Sequence, residues 1–242
     1  VTRRIISMGN DDDDDDDKVE EQIGLPEGTG SPMALERAGK MWFITLHQDD
    51  SVMVNPCEDM DGLGTMHSLC RSHSNFNEQC PQLLKDDEDC VALSYFEHGQ
   101  CLWFVEDSAI PAGVEFQWDG VRMAGVWEPD DAVRQAADSL GHKPATAARK
   151  TWMQKQAAAC CTAYTCWCNG EVYGYSIEVY DKRYHEAGEL FDELDDYRHD
   201  TPVHEDACFG FYGWDEVATA AREAMLNADA AIKKEKIDGA GD

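Results

Sequence analysis

Cys168-Asn169-Gly170-Glu171-Val172-Tyr173-Gly174-Tyr175 decides the fold of this chain. Asn169-Gly170 is a helix stop, and the β-formers after it open a strand running from Glu171 to Tyr180. A second block of the same character, Cys208-Phe209-Gly210-Phe211-Tyr212-Gly213-Trp214, reads as the end of its partner strand. Between them, residues 181–206 form an acidic, polar insertion. Upstream, alanine at 145, 147, 148, 157, 158 and 159 supports a helix from about Ala145 to Cys166. Downstream, Asp215 caps a last helix to about Lys236. Its basic end, Lys233, Lys234 and Lys236, suits the negative pole of the helix dipole.

Further towards the N-terminus, Met41-Trp42-Phe43-Ile44-Thr45-Leu46 reads as a strand. Val91-Ala92-Leu93-Ser94-Tyr95-Phe96 and Cys101-Leu102-Trp103-Phe104-Val105 flank the turn His98-Gly99-Gln100 and predict a hairpin. A fourth strand follows Asp119-Gly120 and covers 121–127. Pro129-Asp130-Asp131 starts a short helix that stops at Gly141. Strands and helices mix without strict alternation, so the expected class is α+β, with a small mixed, mainly antiparallel sheet and flanking helices. Residues 1–40 are expected to be a disordered acidic tail and linker, because the aspartate run at 11–17 repels itself. Residues 41–242 are expected to form one α+β domain, with a strand-rich lobe at 41–128 and a second lobe at 129–242.

The chain of 242 residues carries 49 acidic and 20 basic side chains, a net charge of −29. The first 40 residues contribute −6 and the remaining 202 contribute −23, so the acidity belongs to the folded part too. A field of that sign repels nucleic acid and anionic membranes and favours a basic partner. General solubility, adaptation to a salty cytoplasm and cation binding account for it equally simply. No apolar run approaches the length of a membrane span, and no apolar leader is visible, so the expected location is cytoplasmic. In that compartment the ten cysteines are expected to be reduced thiols, mostly small buried side chains.

Asn55-Pro56-Cys57-Glu58-Asp59-Met60-Asp61-Gly62-Leu63-Gly64-Thr65-Met66 adds a further block. In order with the strand at 91–96, Trp118-Asp119-Gly120, Gly125-Val126, 168–175 and 208–213, it resembles an uncharacterised family common in bacteriophages and prophages. The resemblance covers roughly 42–225. It implies a phage or mobile-element accessory protein in the host cell and carries over no biochemical activity. Where the family has a His-Arg-Arg-Tyr-like run after Met66, this chain has Cys70-Arg71-Ser72-His73. A serine-, threonine- and glycine-rich run after the hairpin turn is replaced by Cys101-Leu102-Trp103-Phe104.

Three constellations bear on function. Cys160, Cys161, Cys166 and Cys168 are thiols suited to zinc, although crowding four of them into nine residues fits a tetrahedral site poorly. His67, Cys70 and His73, with Glu58, Asp59 and Asp61 nearby, would loosely share a helix face and could hold a metal. Glu186, Glu189, Asp192, Glu193, Asp195, Asp196, Asp200, Glu205 and Asp206 form a carboxylate array on a strand connection. Such an array could imitate the phosphates of DNA and capture a DNA-handling protein; a solvated loop is the simpler reading. The aromatics Trp167, Tyr173, Tyr175, Phe209, Phe211, Tyr212 and Trp214 are expected in the core of a small sheet. No Walker loop, dinucleotide fingerprint, HExxH or GxSxG occurs. The reading that follows is a non-enzymatic accessory protein binding a basic host protein through the carboxylate array. Its alternatives are a metal-binding or metal-dependent enzyme and simple adaptation to salt.

Overall fold

The computed structural model describes residues 24–50, 55–59, 62–110, 114–185 and 188–238. The aspartate run at 11–17 lies outside them, as do Asp61 and Glu186. In chain order the elements are β1 (Met33–Arg37), β2 (Lys40–Gln48), α1 (Pro56–Asp59), β3 (Thr65–Ser68), α2 (Cys80–Asp86), β4 (Val91–Glu97), β5 (Cys101–Val105), α3 (Phe116–Asp119), β6 (Gly120–Glu128), α4 (Asp131–Ser139), α5 (Ala147–Cys168), β7 (Val172–Asp181), a 3₁₀ turn at Leu194–Tyr197, β8 (His204–Tyr212) and α6 (Trp214–Asp238). The fold is α+β, built on two four-stranded antiparallel sheets with orders β1-β2-β7-β8 and β3-β6-β4-β5.

The one small sheet expected across 41–127 is therefore not formed. β2 pairs with β7 from Lys40↔Asp181 to Gln48↔Tyr173. The described residues up to Asp50 and from Val172 onward make one compact unit, and those between Ser51 and Glu171 make another. The boundary falls there and not at 128. The reason is burial: residues 41–46 are all buried, so β2 needs cover on both faces and a neighbour on both edges. A local apolar run announces a buried strand without naming its partners. The expected tail is shortened too, because β1 lies inside 1–40. Ala38 (φ 52°) and Gly39 (φ 75°) take the left-handed pair of a two-residue hairpin, which brings Arg37 opposite Lys40.

In the unit holding β7, the two aromatic-glycine blocks pair as expected, with Tyr175 opposite Cys208 and a bulge at Tyr173/Gly174. Gly174 is required there: a Cβ would stand 2.1 Å from the Phe209 ring. α6 lays Val217, Ala221, Ala224, Met225, Ala228 and Ile232 on Trp42, Ile44, Leu46, Tyr175, Ile177 and Val179. That spacing is one helical face. Buried Asp229 accepts from Arg37 (3.1 Å) and Lys233 (3.0 Å), tying edge strand β1 to the helix.

In the other unit, α5 covers the face of the sheet formed by Leu93, Tyr95, Trp103 and Val105. Thr146 caps α5 by accepting from the Arg149 N–H, and Asp130 caps α4 by accepting from the Val133 N–H. Asn169 and Gly170 (φ 70°) end α5 as the sequence predicts. Asp130 also accepts from the Gly62 (2.7 Å) and Gly64 (3.2 Å) N–H groups, and Trp127 Nε1 donates to the Leu63 carbonyl (2.7 Å). Gly62, Leu63 and Gly64 are thus pinned to the end of β6. Burial alone would raise the Asp130 pKa, but these amide donors outweigh it and hold the carboxyl below its ordinary value.

Candidate functional site

The acidic connection between β7 and β8 is packed against the sheet. Leu190, Phe191 and Leu194 lie against Ala34, Met41, Phe43, Tyr180 and the fully buried Tyr197, on the sheet face opposite α6. The Tyr197 hydroxyl donates to the Phe191 carbonyl (3.2 Å) and accepts from the Arg183 N–H (3.3 Å). Residues 190, 191, 194 and 197 recur at helical spacing inside an acidic run. That was the available signal that the segment is anchored, and composition concealed it.

The anchoring decides where the carboxylates point. Glu189, Glu193, Asp195, Asp200 and Glu205 are exposed, while Asp192, Asp196 and Asp206 are half-buried. They do not form one array. Asp206 on β8 accepts from the Tyr175 hydroxyl (3.3 Å), and Glu205 stands opposite Glu178 on the other face of the same strand pair. Asp200 is neutralised by Arg183 (3.0 Å), whose guanidinium also donates to the Asp196 carbonyl and lies over the Phe191 ring. Lys182 pairs with Glu36. Residues 181–206 hold ten carboxylates and three Lys or Arg, and two of those cations are engaged in this way.

Asp192, Glu193 and Asp195 line a cavity of about 410 Å³ together with Pro32, Phe43 and Leu194. No ion pair to these three is found among the described residues. The cavity combines apolar lining residues, Phe43 among them, with three acidic ones. A lysine or arginine side chain has the matching division, an apolar stem with a charged head. The sequence reading named the three acids but missed Pro32, Phe43 and Leu194. Two of these are far away in the chain, so no local pattern linked them to the acids.

The metal candidates separate. His67 lies on β3, not on a helix, and its Nε2 contacts Glu128 Oε2 at 2.9 Å. His73 bonds the Ser68 hydroxyl (2.9 Å) and packs edge-on against Tyr95; its burial lowers its pKa, and the charge of Glu97 opposes this only in part. Cys70 is exposed beside the Ser72 hydroxyl (3.0 Å). Along α5, Cys160 meets Cys57, with the sulfurs 3.0 Å apart, whereas Cys168 meets Cys101. Cys161 and Cys166 are buried. Helical geometry spreads these thiols around the axis, so they do not converge. Among the described residues no group of three His, Cys, Asp or Glu is placed to hold a metal ion. Among the same residues no helix is long and apolar enough to cross a membrane.

The expected core role of the aromatics holds for Tyr175 and Tyr212, which are buried, and for Tyr173 and Phe211, which are packed against the same cluster. Phe209 is 52 % exposed and lies against His47 across the sheet surface. No protein-family model matches the chain, and neither does any curated protein or solved structure.

Proposed function

We propose that the protein is a non-enzymatic accessory protein that captures a basic partner protein, and that the cavity lined by Asp192, Glu193 and Asp195 receives a lysine or arginine of that partner. The phage-like blocks and the overall charge of −29 support the wider setting, in which a host nucleic-acid-handling protein is the target. The observation that carries the reading is the junction, in one cavity of an anchored segment, of apolar residues with three carboxylates that have no ion-pair partner among the described residues. A solvated loop maintained only for solubility has no need of a buried tyrosine beneath it. Anchoring lowers the ordering cost on binding, which otherwise consumes much of the affinity gained from surface charges.

The test is the binding of arginine- and lysine-rich peptides, followed by fluorescence anisotropy over a salt series. Asp192→Asn/Glu193→Gln/Asp195→Asn should weaken binding by about tenfold or more and flatten the salt dependence. A control triple variant neutralises Asp107, Glu115 and Glu171, which lie in the other unit. If acidity serves only to keep the protein dissolved in salt, both triples will weaken peptide binding equally. That result would discard the reading. Deleting the segment is a poorer test, because it removes Tyr197 from the core.

A further inference from the structure

We infer that the unit between Ser51 and Glu171 contains two disulfide-forming sites, Cys101–Cys168 and Cys57–Cys160, each of which staples α5 to the rest of that unit. This goes beyond the partner-binding reading and is independent of it, since it concerns the other unit.

The geometry of Cys57 and Cys160 is the first argument. Their sulfurs lie 3.0 Å apart, closer than an ordinary thiol–thiol contact. A disulfide bond is about 2.05 Å long, so closure requires a movement of about 1 Å. Cys160 is fully buried, and Cys57, also buried, is among the residues lining a cavity of about 320 Å³ with His67, Asn75 and Asn77.

The second pair is held by a different device. β5 is an edge strand, and its outward backbone groups need partners. The end of α5 supplies them. The Asn169 side chain accepts from the Cys101 N–H (3.0 Å) and donates to the Cys101 carbonyl (3.0 Å). Thr165 Oγ1 accepts from the Trp103 N–H (3.0 Å). This clamp brings Cys101, at the start of β5, beside Cys168, the residue before Asn169. Cys168 is exposed and Cys101 is partly so.

Proximity makes the pair unequal: interaction with Cys168 lowers the pKa of Cys101, and interaction with Cys101 raises that of Cys168. Cys160 is raised by its hydrogen bond with Cys57 and then by burial. One thiol of the exposed pair is therefore the better nucleophile and the other is placed to resolve, while the inner pair reacts slowly. The oxidant is a low-molecular-weight disulfide. The Cys101 thiolate attacks one sulfur of it, forming a mixed disulfide and expelling one thiolate. Cys168, as its thiolate, then attacks the Cys101 sulfur and expels the second. The two cysteines together lose two electrons and two protons, and the oxidant's S–S bond becomes two thiols.

The experiment exposes the reduced full-length chain to oxidised glutathione, quenches with acid at intervals, alkylates, and maps peptides without reduction. The expected result is a 101–168 cross-link first and a 57–160 cross-link later, with two and then four of the ten thiols lost. Cys168→Ser should leave a glutathione adduct trapped on Cys101, and the 57–160 cross-link should still form. Adducts that persist on Cys101 in the unsubstituted chain, or cross-links that instead join exposed Cys70 or Cys208, would overturn the inference. So would a Cys57–Cys160 pair that stays reduced after the outer pair has closed and the oxidant remains in excess. Mapping the unsubstituted chain gives the answer even if a serine variant folds poorly.

Discussion

Arg149→Met is expected to destabilise its unit by about 3–5 kcal/mol, the cost of breaking a buried ion pair from one side. The structure shows why the upper part of the general range for substitutions applies. The Arg149 guanidinium is 5 % exposed; Nε donates to Asp89 Oδ1 at 2.7 Å and Nη2 to Asp89 Oδ2 at 2.7 Å. Nη1 donates to Asp138 Oδ1 (2.5 Å) and to the His142 carbonyl (2.9 Å). The Asp89 hydrogen bond, the largest influence, raises the Arg149 pKa, so the guanidinium is charged at every relevant pH. Methionine replaces the stem but none of the donors. Asp89, 7 % exposed, would keep only Arg134, at 3.3 Å, as a charged partner. A loss of this size is a large share of the roughly 5–15 kcal/mol that holds a typical domain. Urea unfolding of the single variant and of Asp89→Leu/Arg149→Met, followed by tryptophan fluorescence, measures it. If the stranded carboxylate sets the cost, the double variant should recover most of the loss. A loss below about 1 kcal/mol, or a double variant no more stable than the single, refutes that reasoning.

Other outcomes follow from the same contacts. Gly64 has φ +73°, and an added Cβ would stand 2.6 Å from the Glu128 carbonyl, so Gly64→Ala should cost more than about 1 kcal/mol in thermal or urea unfolding. Gly62→Ala, whose Cβ meets open space, should cost less. Asp130 has a folded pKa below its ordinary value, so its contribution is complete above the unfolded carboxylate pKa of about 3.9 and is lost as pH falls through the folded value. Acid titration of Asp130→Asn should therefore show a smaller stability loss below about pH 4 than the parent. Tyr197→Ala should cost about 3–5 kcal/mol, speed hydrogen exchange across 190–197 and abolish the salt-sensitive peptide binding. Tyr197→Phe, which retains the ring but gives up both hydroxyl hydrogen bonds, should leave binding nearly intact.

Much of the local structure was legible because local chemistry specifies it. Asp130 reads as a helix start and is a side-chain cap; Asn169-Gly170 reads as a helix stop and is one. The strands at 91–97 and 101–105 and their hairpin follow from β-formers around His98-Gly99-Gln100. β1 was missed because Ala38-Gly39 is a weak hairpin signal beside Asn-Gly, and because Gly24 to Pro32 resembles a linker. His67, Cys70 and His73 would share a face only on a helix, and β3 instead pairs His67 against Val126 in a sheet. The carboxylates between 189 and 206 were found as a composition, and their separation into cavity-lining acids, paired acids and strand acids was not.

The sequence by itself determined the α+β class, the start of α4 at Asp130 and the stop of α5 at Asn169-Gly170, the pairing of the two aromatic-glycine blocks and the net acidity. Each depends on neighbours within a few residues or on a sum over the chain. Asp215, expected to cap α6, lies inside its first turn instead. Only the tertiary structure decided that β2 joins β7, which division results, that Phe43 lines one cavity with Asp192, Glu193 and Asp195, and that Cys57 meets Cys160 across 103 positions. These depend on strand order and helix placement, which are set by burying both faces of β2 and one face each of α5 and α6 together. No single segment of the chain contains that condition.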